Sequence, residues 1–260
     1  MEKWVLVTGA CVNTGAAIVE KFAGEGENVV FTGRNFERVR EAEERYKAKF
    51  PGVKIIGERL DALDENGNVN ESGVRETFER LDGRGVFVSD LVLNAADLGV
   101  GFDVLESPLD EFLKVVNTNV SWNFCLIQNA ARRMKEHGGG SVTFINSNTA
   151  YRAIPGRAAY SASKGGQLGL MRALALDLGK YKIRVNAVLP GMIHTDRTDK
   201  NPEFYKSVPS AYSPLGTIAE GTDIAEAAWY FAAHANNTTG AELTVDCGNM
   251  IQLYPVIPKD

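Results

Sequence analysis

The stretch "AAYSASKGG" (158–166) sets a tyrosine four residues before a lysine, a pair of side chains that together could transfer a proton. If this stretch is helical, Tyr160 and Lys164 lie on one face of the helix, one turn apart. A phenol with its ordinary pKa of about 10 is a poor base at neutral pH, and a neighbouring ammonium favours the phenolate. The spacing therefore predicts that Lys164 lowers the pKa of Tyr160.

A second candidate for chemistry is the turn "TGACVNTGAA" (8–17), which follows a short apolar run. Gly9 would form a tight turn and Gly15 would allow close packing of a helix, so that backbone N–H groups point at a phosphate. Asn13 stands where a dinucleotide turn usually has a glycine, and asparagine tolerates left-handed backbone geometry. The motif predicts nucleotide binding by Gly9, Asn13, Thr14 and Gly15, although such a turn can also be purely structural.

The end of the second predicted strand, "FTGRN", bears on the choice between NAD(H) and NADP(H). An NAD site commonly has a carboxylate here for the ribose 2′-hydroxyl, and this chain has Gly33 followed by Arg34. A guanidinium can pair with a 2′-phosphate. We therefore expect NADP(H) to be favoured over NAD(H). The alternative is that Arg34 is solvated in a loop or pairs with Glu37.

The elements that must position these residues alternate along the chain. Apolar runs predict strands at 3–7, 28–32, 53–60, 90–94, 141–145, 183–189 and 241–245. Predicted helices fall at 15–25, 36–49, 74–81, 109–136, 158–180 and 222–235. Alternation of this kind predicts an α/β fold, a doubly wound parallel sheet of the Rossmann type, as one domain over 1–260. An irregular segment at 192–216 is interpreted as a substrate lid.

Composition excludes several classes of function. The chain has 260 residues, 44% hydrophobic content and a net charge of −5, with no long basic run. We therefore expect no nucleic-acid partner and no membrane partner. Three widely separated cysteines argue against a disulfide framework and favour a cytoplasmic location. No His/Cys/Asp cluster has the spacing of metal ligands, so no metal is expected.

Taken together, these motifs resemble the short-chain dehydrogenase/reductase family in its compact single-domain form. The resemblance spans Lys3 to Gly248 and includes Asn94 after the fourth strand, Ser147 after the fifth, "YSASK" and "VNAVLPGMIHTD". A Tyr–Lys pair alone is more often a surface pair, and Ser147 alone can be a turn residue. The combination in this chain order favours an active site.

The resemblance implies a role for each matching residue. Tyr160 would be the proton donor or acceptor, Ser147 would hydrogen-bond the substrate oxygen, and Lys164 would also bind the nicotinamide ribose. Asn119 matches the asparagine that anchors a proton-relay water, with nearby Asn117 as the alternative. The cofactor-binding positions implied in this way, in addition to the turn and Arg34, are Asp61, Ala62, Asn94, Tyr160, Lys164, Pro190, Ile193 and Thr195.

The implied function is an NADP(H)-dependent oxidoreductase that interconverts a ketone and a secondary alcohol by hydride transfer. Two alternatives stay open: a non-catalytic NADP-binding sensor or scaffold, and an NAD(P)-dependent epimerase or dehydratase. We expect a small carbonyl or alcohol substrate in a pocket walled by Leu98, Val100, Tyr151 and the aromatic residues of the lid, which are Phe204, Tyr205 and Tyr212. His194 is interpreted as structural. A homo-oligomer, either a dimer or a homotetramer, and docking of the apolar C-terminal segment (251–260) are also predicted.

Overall fold

Seven parallel strands form a single sheet in a computed structural model that describes residues 2–101 and 103–253, without the side chains of 208–210. The order across the sheet is β3-β2-β1-β4-β5-β6-β7. The strands are β1 (Lys3–Val7), β2 (Asn28–Gly33), β3 (Ile55–Arg59), β4 (Phe87–Leu93), β5 (Gly140–Ile145), β6 (Ile183–Pro190) and β7 (Glu242–Val245). The predicted doubly wound parallel sheet is confirmed.

Helices cover both faces of the sheet. They are α1 (Asn13–Gly24), α2 (Phe36–Lys49), α3 (Glu71–Gly83), α4 (Leu109–Val116), α5 (Trp122–Glu136), α6 (Ala158–Gly179), α7 (Asp196–Asp199), α8 (Pro202–Tyr212) and α9 (Gly221–Trp229). Between α4 and α5 the chain makes a π-helical turn, Asn117–Ser121, so the predicted helix at 109–136 is continuous but locally widened.

Each face of the sheet has its own apolar core. On one face, Ile18 and Phe22 of α1 and Val39 of α2 pack beneath β1 and β2. On the other face, Phe78 of α3 and Met171 of α6 pack with residues of α5. Strands buried on both faces explain why their sequences read as continuous apolar runs.

The reversal of strand order fixes where a ligand can bind. β1 pairs with β2 on one side and with β4 on the other, so the loops that leave β1 and β4 diverge at their carboxyl ends. Parallel sheets of this kind bind ligands in the crevice outside that point. The loops after β1, β4 and β5 all emerge here, and they carry the residues that the sequence identifies as candidates.

The structure differs from the sequence prediction in several places, among them the segment 192–216 and the third strand. The segment 192–216, expected to be irregular, contains α7 and α8. Thr195 begins α7 with a capping box, a local signal that a pattern of apolar residues does not reveal. The third strand is shorter than the predicted 53–60, because only Ile55–Arg59 pairs with β2.

Two further observations concern the described part of the chain. Cys11, Cys125 and Cys247 are free thiols. No helix among residues 2–101 and 103–253 combines the length and apolar character that crossing a membrane requires.

Candidate active site

A crevice of about 1470 Å³ lies at the carboxyl ends of the strands. Its volume exceeds the range of about 300–1000 Å³ typical of a site for one small molecule. The predicted site residues that line it are Gly9, Asn13, Thr14, Gly15, Arg34, Asp61, Ala62, Asn94, Ser147, Tyr160, Lys164, Pro190 and Ile193. Two predicted residues, Asn119 and Thr195, do not line it.

The turn after β1 leaves no room for side chains at its two glycines. Gly9 has a φ of +63°, and a Cβ there would lie 2.8 Å from the Ala95 Cβ. A Cβ on Gly15 would lie 2.5 Å from the Gly9 carbonyl oxygen and 2.7 Å from Asn94 Nδ2. Asn94 in turn donates from Nδ2 to the carbonyls of Thr8 and Gly9, both at 3.0 Å. Asn94 therefore braces the turn against β4.

Asn13 takes the left-handed conformation expected from the sequence, with a φ of +53°. Its Oδ1 accepts the backbone N–H of Asp196 at 3.2 Å, which connects the turn to the segment after β6. Val12 at the start of α1 provides no side-chain cap, and the first turn of α1 holds no acidic residue. The positive end of α1 is thus open toward the crevice and suited to an anion.

The segment from the end of β2 to the first turn of α2 places two arginine side chains on the crevice. Arg34 and Arg38 both line the crevice, and neither forms an ion pair within the described part of the chain, which leaves no Arg34–Glu37 pair. Arg38 was not predicted as a site residue: Arg34 precedes α2 and Arg38 lies in its first turn, so the spacing of the two arginines did not indicate that they share a face. Cys11 fills the space beside Gly33: a Cβ there would lie 2.5 Å from its Sγ.

Ser147 and Tyr160 form the part of the site suited to bind a carbonyl oxygen. The Ser147 hydroxyl donates to Thr149 Oγ1 at 2.9 Å and accepts the Thr149 N–H at 3.1 Å. Burial raises the pKa of Tyr160, and a hydrogen bond with Ser147 and the charge of Arg157 oppose that rise. In the free protein the pKa of Tyr160 is therefore raised, where the sequence predicted a lowered value, because desolvation outweighs the hydrogen bond with Ser147 and the charge of Arg157.

Lys164 is buried, with 1% of its surface exposed. Its Nζ lies 5.6 Å from the centroid of the Tyr160 ring, so the two side chains share one site. The ammonium donates to the Ile145 carbonyl at 3.0 Å and to Gln167 Oε1 at 3.2 Å. Desolvation lowers the pKa of Lys164 to about 7, because both of these acceptors are neutral.

Asn119 lies behind the crevice and is fully buried. Its side chain bonds to the backbone of Asp97, as acceptor at 2.7 Å and as donor at 2.9 Å, and Nδ2 also donates to Ser163 Oγ at 2.9 Å. The backbone carbonyl of Asn119 accepts a hydrogen bond from Gln167 Nε2 at 2.7 Å. Asn117, the alternative, lines the crevice and accepts a hydrogen bond from Ser121 at 3.3 Å. Asn119 is therefore the asparagine that Gln167 connects to Lys164.

The residues predicted to line the substrate pocket do not all lie in one cavity. Leu98 lines the crevice, and Val100 lines a neighbouring cavity of about 220 Å³ beside Tyr160. Tyr151 is a wrong prediction: its hydroxyl donates to Glu242 at 2.6 Å, in a separate groove. The local sequence gave no indication that Glu242, on the edge strand, would attract that hydroxyl.

The segment after β6 is held by its own contacts. Thr195 Oγ1 accepts the Arg197 N–H at 3.3 Å as the cap of α7, which is why this side chain is turned away from the crevice. His194 lies between Asp199 at 2.8 Å and Glu220 at 3.2 Å. The hydrogen bond with Asp199 and the charge of Glu220 raise the pKa of His194. These contacts agree with a structural role for His194.

Of the C-terminal segment that was predicted to dock, the structure describes residues 251–253, and residues 254–260 lie outside the described part of the chain. Gln252 Nε2 donates to the Tyr212 carbonyl at 2.6 Å, while Ile251 and Leu253 are exposed. Within the described ranges, no group of three or more His, Cys, Asp or Glu residues is placed to hold a metal ion.

The chain is similar to a known protein family and to characterised dehydrogenases over almost its whole length. A family model described as enoyl-(acyl carrier protein) reductase matches residues 9–249. The chain is 34% identical over 247 residues to a 3alpha-hydroxysteroid dehydrogenase of Mediterraneibacter gnavus, covering 94% of this chain and 95% of that protein. It is 33% identical over 263 residues to an L-rhamnose 1-dehydrogenase (NAD(P)(+)) of Azotobacter vinelandii, covering 97% and 98%.

Among solved structures, a putative gluconate dehydrogenase from Agrobacterium tumefaciens superimposes with a TM-score of 0.88. The two chains are 28% identical, with 96% of this chain and 97% of that chain covered. The similarity therefore extends over the whole domain, including the turn after β1, the end of β5 and α6.

Proposed function

The chain belongs to the short-chain dehydrogenase/reductase family, and from this premise we propose that it is an NADP(H)-dependent oxidoreductase that interconverts a ketone and a secondary alcohol. The observation that supports the proposal is the arrangement of the crevice. Ser147, Tyr160 and Lys164 line the same crevice as the glycine turn after β1. A proton donor and an anion-binding turn in one crevice are what reduction of a carbonyl by a dinucleotide requires.

A bound nicotinamide dinucleotide would supply or accept the hydride. The Ser147 hydroxyl rotates from Thr149 Oγ1 to donate its one hydrogen bond to the substrate oxygen. Tyr160 gives that oxygen its proton as the carbonyl becomes an alcohol. Because burial raises the pKa of Tyr160, the phenol keeps its proton at neutral pH, which suits the reductive direction. The Lys164 ammonium then stabilises the phenolate that remains.

The residues present fit a dinucleotide. The uncapped start of α1 offers backbone N–H groups to the diphosphate, and the absent side chains of Gly9 and Gly15 let the backbone approach it. Asp61 and Ala62, which line the crevice beyond β3, are assigned to the adenine, and Pro190 and Ile193 to the nicotinamide. Thr195 joins this set only if the cap of α7 opens.

The preference for NADP(H) rests on the end of β2. Arg34 and Arg38 face the crevice without carboxylate partners among the described residues, so both guanidinium groups are available to a 2′-phosphate. A carboxylate at position 33, the usual feature of an NAD site, would collide with Cys11 Sγ. The local shape and the local charge thus favour the same cofactor.

Substitution of the two arginines tests the cofactor preference. Arg34→Ala and Arg38→Ala should each weaken NADPH binding by about tenfold or more, because each removes a charged hydrogen-bond donor, and should leave NADH binding nearly unchanged. Arg40→Ala is the matched control, since Arg40 is an exposed residue of the same helix that pairs with Glu44. Equal losses for NADPH and NADH would contradict the assignment.

A kinetic screen of ketones, sugars and sterols with NADPH and NADH tests the reaction itself. We expect turnover with NADPH that is lost in Tyr160→Phe, the variant that lacks the proton donor. Tight NADPH binding without turnover on the whole panel would favour a sensor or scaffold instead. Product epimerisation or dehydration without net oxidation of the cofactor would favour the epimerase or dehydratase alternative.

We also propose a homo-oligomer, a dimer or a homotetramer, assembled through the outer faces of α4–α6. Leu109, Phe124 and Leu176 are exposed there by 70%, 40% and 84% of their surface. Apolar side chains of this size on adjoining helices support pairing with another copy. Light scattering of the purified protein should give a mass of two or four chains, and a monomer would contradict the proposal.

A further inference from the structure

Gln167 is a buried carboxamide on the face of α6 that packs against the sheet. Only 1% of its surface is exposed, and it lies between Lys164 and Leu168 on a face whose later members are apolar. Its Oε1 accepts from Lys164 Nζ at 3.2 Å and from Asn146 Nδ2 at 2.9 Å, and its Nε2 donates to the Asn119 carbonyl at 2.7 Å. The carboxamide therefore joins three elements at the base of the crevice.

Gln167 is the side chain that hydrogen-bonds Lys164 within the described part of the chain. An ammonium has three N–H donors, and the Ile145 carbonyl and Gln167 Oε1 take two of them. The elements packed against Lys164 present neutral groups: Ile145 and Asn146 at the end of β5, and Asn119 in the π-helical turn. Tyr160 is the titratable side chain that shares its site.

We propose that Gln167 is a positioning residue for the proposed reaction: its carboxamide, anchored on the Asn119 backbone carbonyl, accepts a hydrogen bond from Lys164 Nζ and leaves a third N–H of the ammonium for the crevice. This bond favours the charged form of Lys164 over the neutral amine. This proposal rests on the function proposed above. It assigns to a side chain of α6 the connection between Asn119 and Lys164 that the family resemblance assigns to a relay water. A merely structural carboxamide would instead affect stability alone.

Removal of the Gln167 carboxamide should affect Lys164 most. The two other groups that hydrogen-bond Gln167, the Asn119 backbone carbonyl and Asn146 Nδ2, each keep another hydrogen bond. The Asn119 carbonyl also accepts from Asn123 Nδ2 at 2.8 Å, and Asn146 Nδ2 also donates to the Lys164 carbonyl at 3.0 Å. Among the described residues Lys164 would keep the Ile145 carbonyl as its one hydrogen-bond acceptor, with only 1% of its surface exposed. A buried ammonium with fewer acceptors loses its proton more easily.

Two nearly isosteric variants separate positioning from packing. Gln167→Met removes the acceptor at nearly constant length and should lower the pKa of Lys164 by about one pH unit. Gln167→Glu places a carboxylate beside the ammonium and should raise that pKa, the opposite direction. The measurement is an NMR titration of protein labelled with ¹³C at the lysine ε-carbons, with the Lys164 signal identified by its loss in Lys164→Met.

Asn129→Leu is the matched control, since it removes a buried carboxamide of α5 that bonds to the Cys125 carbonyl, on its own helix. It should lower stability and leave the titration of Lys164 unchanged. In the kinetic assay, Gln167→Met should lower kcat more than it changes KM, with a shifted pH profile that Gln167→Glu shifts the other way.

The outcomes distinguish this proposal from the proposed function. Opposite shifts of the Lys164 titration in the two Gln167 variants support positioning even if the wild-type protein turns over no carbonyl, a result that would overturn the function alone. A Lys164 titration that stays within about 0.3 pH units in both variants, below the shift expected from one such hydrogen bond, would overturn the proposal and leave Gln167 a packing residue.

Discussion

Replacing Lys164 with methionine should change how the stability of the protein depends on pH. In the folded protein, desolvation lowers the pKa of Lys164 from 10.5 to about 7. Between these two values the unfolded chain keeps the proton that the folded chain has released. Stability therefore rises with pH across this window, and a methionine at position 164 removes the rise.

The magnitude follows from the burial of Lys164. Displacement of the pKa from 10.5 to about 7 corresponds to a penalty of about 5 kcal/mol for the buried ammonium. Deprotonation relieves the penalty gradually, and integration of the proton difference from pH 7 to pH 9 gives a gain of about 2 kcal/mol. The difference in the free energy of unfolding, wild type minus Lys164→Met, should grow by that amount.

Urea unfolding of the cofactor-free protein at pH 7, 8 and 9 measures this difference. The exposed Lys180, which follows α6, supplies the control: the difference between the wild type and Lys180→Met should stay constant over the same pH range. A wild-type minus Lys164→Met difference that is constant, or that falls as the pH rises, would show that Lys164 stays protonated in the folded protein. The account of the site would then be wrong in its electrostatics.

Two further predictions concern the rim of the crevice. Gly33→Asp should lower the Tm and fail to create tight NADH binding, because the added Cβ would collide with Cys11 Sγ. The double variant Cys11→Ala/Gly33→Asp should recover part of the lost Tm, and no recovery would contradict the steric argument. Asp199 and Glu220 raise the pKa of His194 in the folded protein. Protonated His194 therefore stabilises the fold fully below the unfolded pKa of about 6.5, and this stabilisation is lost as the pH rises through the folded pKa. The Tm difference between the wild type and His194→Asn should follow that pattern, and a difference that grows with pH would refute it.

Local patterns were sufficient to predict most of the fold. Continuous apolar runs predicted every strand, because a parallel sheet covered on both faces leaves no polar side to its strands. The turn after β1 could also be interpreted residue by residue, since the geometry at Gly9 and Asn13 depends on backbone preferences that the residue type reveals. α7 escaped prediction because it begins at the Thr195 capping box and has no apolar face.

The electrostatics of the site could not be predicted in the same way. The spacing of Tyr160 and Lys164 indicates that the two groups are near each other, but their pKa values depend on burial, which only the assembled fold determines. Gln167 was missed for a related reason. A glutamine one turn after Lys164 resembles an ordinary helix residue until the Asn119 carbonyl and the Lys164 ammonium are both found within its reach.

The central claim is that the phenol of Tyr160 gives its proton to the substrate oxygen. The most direct test is the single-turnover rate of NADPH oxidation after a ketone is mixed with the preformed enzyme–NADPH complex, in Tyr160→Phe and in Tyr151→Phe. Tyr151 is the matched control because its hydroxyl bonds to Glu242 outside the crevice. The account predicts a rate about 10²- to 10⁴-fold lower in Tyr160→Phe and an unchanged rate in Tyr151→Phe. Hydride transfer at the wild-type rate in Tyr160→Phe would contradict it.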